Sequence, residues 1–504
     1  MQKVLVYLSG HDAYIHFGIL KKLQKKIPLE VYAIIDLGNQ PKKFFKTQEI
    51  VKFEKMWHYR DYVKPFHKPD IKYLKKIEKE FNINLWKIAY SDPTFFAFEG
   101  TSNFQEDEIL SLIEDDCKLF ENIFEKIKPD FLMTHTGGQK QMNILREMCI
   151  SKQVKILQKG SAKFGIRGQI SQEYDILDEF SEIPQIKLDE KLNDEFLYKM
   201  NKEINSSEYY KKISNSVKNK KISFIIKTFL NYSKIKKESN NLYTTFKDQN
   251  TIIKNFKLFK KNYNRIQREK FLDKNSIKDI PKNEKFVIFP LHMQPEHTTS
   301  VVTPFFTDQI ALIRNIARSL PVNYFLYVKE HPSMGTMRYW RDLEYYKKIL
   351  DIPNVRFVHP DINSLTLYKK SQTILTINGS ASTEAIMIRK PVIVFSNVAG
   401  AELDTIKKVE DLENIPTVIR KTISEGFNEK GCKRFFVQKL NETYDYLPSL
   451  SEDIQKKLFS DGVLVQDVTI QKVKDIIEKN DTDLEILVDE YIRKIIQWRK
   501  FEKK

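Results

Sequence analysis

Cysteine is scarce in this 504-residue chain: the three residues, Cys117, Cys149 and Cys432, are far apart and form no Cys-x-x-Cys pair. That excludes a disulfide framework and a cysteine-based structural zinc site. Glycine is also sparse, at 15 residues, which excludes collagen-like architectures. No period of solenoid type runs through the chain. No apolar run approaches the ~20 residues that a membrane-spanning helix needs. The N-terminal MQKVLVYLSGHDAYIHFG has about five apolar residues before polar ones appear, too few for a signal-peptide core. A cytoplasmic location is the expectation.

What is present is the composition of a folded protein, 41% hydrophobic and 12% aromatic, long enough for two or three domains. The net charge of +17 is concentrated: residues 211–285 hold 21 Lys/Arg against 6 Asp/Glu, while the rest is close to neutral. Solvated lysine-rich helices are the first reading of that segment. A membrane-surface contact is the second, because SFIIKTFLNYSKIKK interleaves Phe, Ile and Leu with Lys. Nucleic acid ranks third and is not expected, since no recognisable binding module is present.

Hydrophobic periodicity divides the chain into four parts. Residues 1–175 open with a buried strand, KVLVYLSG, then a helical stretch and a second strand, EVYAIID. Later come a helical DEILSLIEDDCKLFENIFEKIK and a strand, PDFLMTHTGG, closed by a polar loop. This alternation predicts a doubly wound α/β domain. Residues 176–280 lose the alternation and read as a basic helical insertion or linker. Alternation resumes over 281–410, from KFVIF to PVIVFSN, as a second doubly wound unit; 411–504 read as a helical C-terminal region.

In open parallel sheets, ligands sit beyond the carboxyl ends of strands, and three strand-end loops of the second unit hold unusual chemistry. FPLHMQPEHTTS contains His292, Gln294, Glu296 and His297. A metal is disfavoured there, because the His spacing does not share one helix face and Pro295 interrupts the segment. YVKEHPSMG places Lys329, Glu330 and His331 against Pro332, with Arg338 and Arg341 downstream; His-Pro alone is more often structural, but His331 suits a phosphate. INGSASTE runs through Gly379, Ser380 and Ser382 to Glu384 at a helix start, where exposed amides favour an anion. It is neither a P-loop nor a Gly-x-Gly-x-x-Gly fingerprint. Asp115-Asp116 lies in a helical segment and reads as a solvated face.

Taken together and in order, Gln294-Pro295, Lys329-Glu330-His331-Pro332, Asn378-Gly379-Ser380 through Glu384, and RKPVIVF resemble the capsule polysaccharide biosynthesis family. Its members include GT-B-type glycosyltransferases, among them capsule Kdo transferases with Gln-Pro and His-Pro motifs. The resemblance covers about 281–400; elsewhere it is one of architecture. It implies two Rossmann-type domains facing a cleft, with the acceptor in the first and a nucleotide-sugar donor in the second. His331 and Pro332 would belong to the donor-phosphate motif, with Lys329 as a helper. Ser380 and Ser382 would bond phosphate or sugar on the Gly379 loop, Glu384 would take ribose or sugar hydroxyls, and Gln294 and Glu296 would shape the pocket. A CMP-linked acidic sugar is one donor; UDP- and GDP-sugars stay open. No metal and no cofactor beyond the nucleotide sugar is implied, and the acceptor would be a glycan or lipid-linked glycan.

The base stays open between His11 and Asp12, which follow the first strand, and His135 in THTGG. His16 lies deeper in its helix and reads as packing. A UDP-sugar epimerase of the same two-domain layout, or a non-enzymatic glycan- or nucleic-acid-binding protein, are the competing readings.

Overall fold

The structure, a computed structural model, describes residues 1–93, 95, 104–165, 167–174, 176–178, 192–203, 264, 267–294, 297–331, 334, 341–445, 448–460, 463–464 and 468–501. It is α/β, with two doubly wound units. The first unit contains β1 (Gln2–Ser9), β2 (Leu29–Asp36), β3 (Lys55–His58), β4 (Phe131–His135), β5 (Lys155–Ser161) and β6 (Arg167–Ser171). Five of these pair in parallel in the order β5-β4-β1-β2-β3, and β6 adds antiparallel beside β5.

Strand β1 shows why the sheet is central. Side chains alternate across a strand, and both faces of β1 are apolar: Val4, Val6 and Leu8 enter one core, Leu5 and Tyr7 the other. A strand buried on both faces needs helices on both faces, which is what parallel crossovers supply. One face is covered by the helix Asp12–Lys26, the other by Ile71–Phe81, Glu106–Lys126 and Lys140–Ser151.

The second unit repeats the plan with β7 (Lys285–Pro290), β8 (Tyr324–Lys329), β9 (Val355–Val358), β10 (Ile374–Thr376), β11 (Val392–Val394) and β12 (Ile406–Lys408). All are parallel, in the order β12-β11-β10-β7-β8-β9. Strand β7 feeds both cores: Phe286 and Ile288 point to one, Val287 and Phe289 to the other.

The residues after 410, expected as one helical region, are shared between the units. Ile415 and Ile419 belong to a core of the second unit, whereas Ile476, Leu484, Tyr491 and Trp498 belong to the first. The return adds β13 (Tyr444–Asp445) to the edge of the first sheet beside β6. The last helix, Asp481–Phe501, lies on Asp12–Lys26, where Gly18 allows close approach: a Cβ there would sit 3.0 Å from Leu484 Cδ2. Lys494, itself 1% exposed, donates to Asp178 (2.9 Å) and Glu442 (3.0 Å). That buried clasp joins the segment leaving the first unit to the segment re-entering it.

The Asp115-Asp116 pair is not a solvated face. Asp116 is 1% exposed, bonded to the fully buried ammonium of Lys140 and to the Tyr59 hydroxyl (2.7 Å). Burial pushes its carboxyl up to about 6 against the pull of Lys140. Asp115 accepts from the Lys64 amide (2.9 Å), and Glu114 from the Asp70 amide (2.7 Å). The acidic run anchors loop 59–70 on the helix.

Among the described residues no helix is long and apolar enough to cross a membrane. Most of the basic segment 211–285 lies outside the described residues, and its expected membrane contact with it.

Candidate active site

Each sheet has one place where the strand order reverses, between β1 and β4 in the first unit and between β7 and β10 in the second. Loops there diverge to opposite faces and leave a crevice at the strand ends. The predicted residues lie at these two switch points.

In the first unit, His11 and Asp12 follow β1 and His135 ends β4. Asp12 is 8% exposed, and Lys159 at the end of β5 reaches its Oδ1 at 2.7 Å. His11 Nε2 lies 3.3 Å from Asp12 Oδ2, with the His11 side chain 38% exposed. Burial alone would push the Asp12 carboxyl up; Lys159, His135, His11 and His16 overcome it and hold the group well below the usual carboxylate range. Ser9 Oγ sits 3.3 Å from His135 Nε2. Burial lowers His135 and so weakens its ring as a base. His16 is the packing residue expected, fully buried, 3.2 Å from the Tyr491 hydroxyl and lowered to about 3 by burial. All three base candidates therefore share one cluster, and Asp12 is its charged centre.

In the second unit, the loop after β7 and the loop after β10 meet at His292. Thr376 Oγ1 lies 3.1 Å from His292 Nε2 and 2.7 Å from the Asn378 carbonyl, and the Asn378 amide donates to the same ring nitrogen at 3.5 Å. Burial, then the nearby His331, Lys163 and Arg341, lower His292 to about 3, so its ring is neutral. Gly379 has φ +102°, and a Cβ there would lie 3.5 Å from His292 Cε1. Glycine is required because L side chains rarely adopt that backbone. It caps the helix Ser380–Met387, and no side chain bonds into the first turn as a cap. Exposed Ser380 hydrogen-bonds Glu384 one turn on.

Several predicted residues turn out to brace the loops. Gln294, 1% exposed, donates to the Thr307 carbonyl (2.8 Å) and accepts from Gln309 (2.7 Å). Gln309 in turn holds both the amide and the carbonyl of His292. Lys329 is 2% exposed, donates to the Pro360 carbonyl at 2.9 Å, and is lowered to about 8 by burial. Ser382 is buried and donates to the Gly379 carbonyl (3.0 Å). Arg341, read from the sequence as a possible anion contact, is 1% exposed, paired with Glu330 and bonded to the His292 carbonyl (2.5 Å). Glu330 also accepts from the Tyr346 hydroxyl (2.8 Å) and the His331 amide (2.8 Å). His331 itself is half-buried beside His292. Glu296 and Pro332 lie outside the described residues.

Burial raises Glu384, with the Ser380 hydrogen bond pulling part of the way back. The sign follows. Above the ordinary value of 4.5 the unfolded carboxyl has lost its proton while the folded one keeps it, so stability falls as pH rises through that window. Glu384→Gln should melt higher than wild type at pH 7, with the gain vanishing below about pH 4.5. Thermal melts across pH check this; an unchanged pH dependence would contradict the placement.

His292 is singled out by the sequence on its strand-end loop but without a role of its own. Lys159 obeys the same strand-end rule without being among the candidates, and Gln309 carries no such local signal.

Residues 169–399 match the family model described as capsule polysaccharide biosynthesis protein. No curated protein matches the sequence. Among solved structures, KpsC of Thermosulfurimonas dismutans, a beta Kdo 2,7 transferase, is 10% identical with TM-score 0.31, covering 80% of this chain and 97% of that one. The UDP-GlcNAc 2-epimerase of Neisseria meningitidis bound to UDP-GlcNAc is 13% identical with TM-score 0.26, covering 95% and 99%. The UDP-GlcNAc 2-epimerase of Methanocaldococcus jannaschii, in complex with UDP-GlcNAc and UDP, is 13% identical with TM-score 0.27, covering 87% and 99%.

Proposed function

We propose that this chain, whose residues 169–399 match the capsule polysaccharide biosynthesis family, is a glycosyltransferase that moves a sugar from a nucleotide donor to a glycan or lipid-linked acceptor. The observation that carries the reading is the second unit's switch point. There His292, His331, the Gly379 turn and an uncapped helix start lie on loops fixed by a buried network. The helix start and His331 suit a phosphate. Neutral His292 and Glu384 suit ribose or sugar hydroxyls.

The first unit supplies the chemistry. The acceptor oxygen bonds the anomeric carbon, the bond to the donor phosphate oxygen breaks, and the nucleotide leaves with the electron pair. The acceptor proton passes to a base. His11 is the best-placed base: it is the most accessible of the cluster, and Asp12, pinned by Lys159, orients it. Phosphate charge is met by backbone amides and side chains, so neither a metal nor a further cofactor is part of the proposal.

A thermal-shift screen with CMP, UDP and GDP and their sugars tests the donor assignment. Binding raises apparent stability by about 2.7 kcal/mol at a hundredfold excess over Kd. One nucleotide class should stand out, and His331→Ala should abolish its shift. If no nucleotide or nucleotide sugar shifts the melt, the reading fails.

A further inference from the structure

We infer that the outward face of the helices Ile71–Phe81 and Leu85–Ser91 docks the chain on an anionic lipid surface; the inference goes beyond the glycosyl-transfer reading and does not depend on it. Both helices lie on Glu106–Lys126 and Lys140–Ser151. Leu74, Ile77 and Phe81 of the first, and Leu85, Ile88 and Ala89 of the second, enter the same core. Their other sides therefore look outward together. Those sides carry large apolar groups: Ile71 is 44% exposed, Trp86 37% and Tyr90 61%, and the two rings stand 6.4 Å apart, one helical turn from each other. Lys72, Lys75, Lys79 and Lys87 are exposed beside them, and none of the four forms an ion pair among the described residues. The neighbouring acids are occupied. Asp70 accepts from the Tyr73 amide (3.0 Å), Glu78 accepts from the Leu85 amide (3.0 Å), and Glu80 lies 3.7 Å from Lys76.

Charge and side-chain chemistry together select the occupant. Trp and Tyr rings settle at the headgroup depth of a bilayer, an exposed Ile enters its apolar boundary, and lysines without carboxylate partners meet anionic headgroups. A second copy of the chain fits poorly, because a two-fold contact sets the patch against itself and brings lysines of one sign together. A single nucleic-acid strand is held along a groove, whereas these are the outward faces of two helices. The helix Leu85–Ser91 also packs against Thr298–Val302 and Pro304–Phe306 of the second unit, where Phe305 is 89% exposed. The docked face thus borders the seam between the units. In the glycosyl-transfer reading, a lipid-linked acceptor would reach the crevice from the same surface that holds the chain.

The test is flotation of the full chain with phosphatidylcholine vesicles, with and without phosphatidylglycerol. Wild type should float with the anionic vesicles and be released as salt is raised. Lys72→Gln, Lys75→Gln and Lys79→Gln together should weaken that binding about ten- to a hundredfold. Lys25→Gln, Lys457→Gln and Lys474→Gln together remove the same charge from helices that cover the opposite face of the first sheet. That control should stay within about threefold of wild type, which separates this face from the charge of the rest of the chain. Trp86→Ala should weaken binding about tenfold at high salt as well as low, since it removes apolar contact and no charge. If wild type ignores anionic vesicles, or if both lysine triples weaken binding equally, the inference falls. If Trp86→Ala loses RNA binding or self-association while vesicle binding stays intact, the face belongs to that partner and the inference is overturned. The nucleotide thermal shift should be that of wild type in every variant, so the glycosyl-transfer reading stands or falls separately.

Discussion

Replacing His11 by Ala should lower sugar transfer about a hundred- to ten-thousandfold while nucleotide affinity stays near wild type. A positioned general base is worth about that much, and His11 lies in the unit opposite the proposed donor site. Its side chain is 38% exposed, so its removal leaves no cavity in a core. Asp12→Asn should reduce transfer comparably, because it releases the imidazole from its carboxylate and loosens Lys159. The double variant should be little worse than either single one, since groups acting as a unit are not additive. Kinetics separate the base from a packing role: His11→Ala should lower kcat while the KM for the donor stays near wild type, and added imidazole should restore part of the loss. Transfer unchanged in His11→Ala would move the assignment to His135.

Arg341→Met should destabilise the second unit by about 3–5 kcal/mol, the usual cost of leaving a buried charge without its partner. Glu330 would keep only the Tyr346 hydroxyl and the His331 amide. The His292 carbonyl would lose one of its two donors, Arg341, and keep Gln309. Denaturant unfolding, followed separately for the two units, measures the cost. Replacing both Glu330 and Arg341 by Met should recover much of it, because the penalty belongs to the orphaned charge and not to the absence of the pair. If Arg341→Met unfolds with the wild-type midpoint, the network does not hold the loops, and the bracing role given to Gln294 and Lys329 weakens with it.

How far these features were legible depends on where their signals sit along the chain. The strands β1, β4, β5 and β7 to β11 are short apolar runs ended by polar or glycine-containing loops, and such runs declare themselves. The edge pieces do not. Strand β3 is KMWH and β13 only Tyr-Asp, so their pairing depends on partners far away in sequence. The C-terminal helices look autonomous in sequence, yet they complete the first unit's core through Leu484 and Tyr491.

The site divides in the same way. His11, Asp12 and His135 can be put forward as candidates from the sequence because strand ends are local in sequence. Whether a polar residue faces the crevice or the interior is not local. Lys329 and His331 are two residues apart, yet the first is 2% exposed on the Pro360 carbonyl and the second is half-buried beside His292. The Asp115-Asp116 pair was misread for the same reason, since its partners Lys140 and the Lys64 amide come from other parts of the chain. Motif spacing locates a loop; tertiary partners decide which of its side chains meet a ligand.

The central claim, transfer of a sugar from a nucleotide to an acceptor, is tested most directly by phosphorus and proton NMR of the full chain with its preferred nucleotide sugar, with and without a glycan acceptor. The account predicts free nucleotide released in step with glycosylated acceptor, and a donor sugar whose stereochemistry is unchanged when acceptor is omitted. Conversion of a UDP-sugar to its epimer in the absence of acceptor would contradict it.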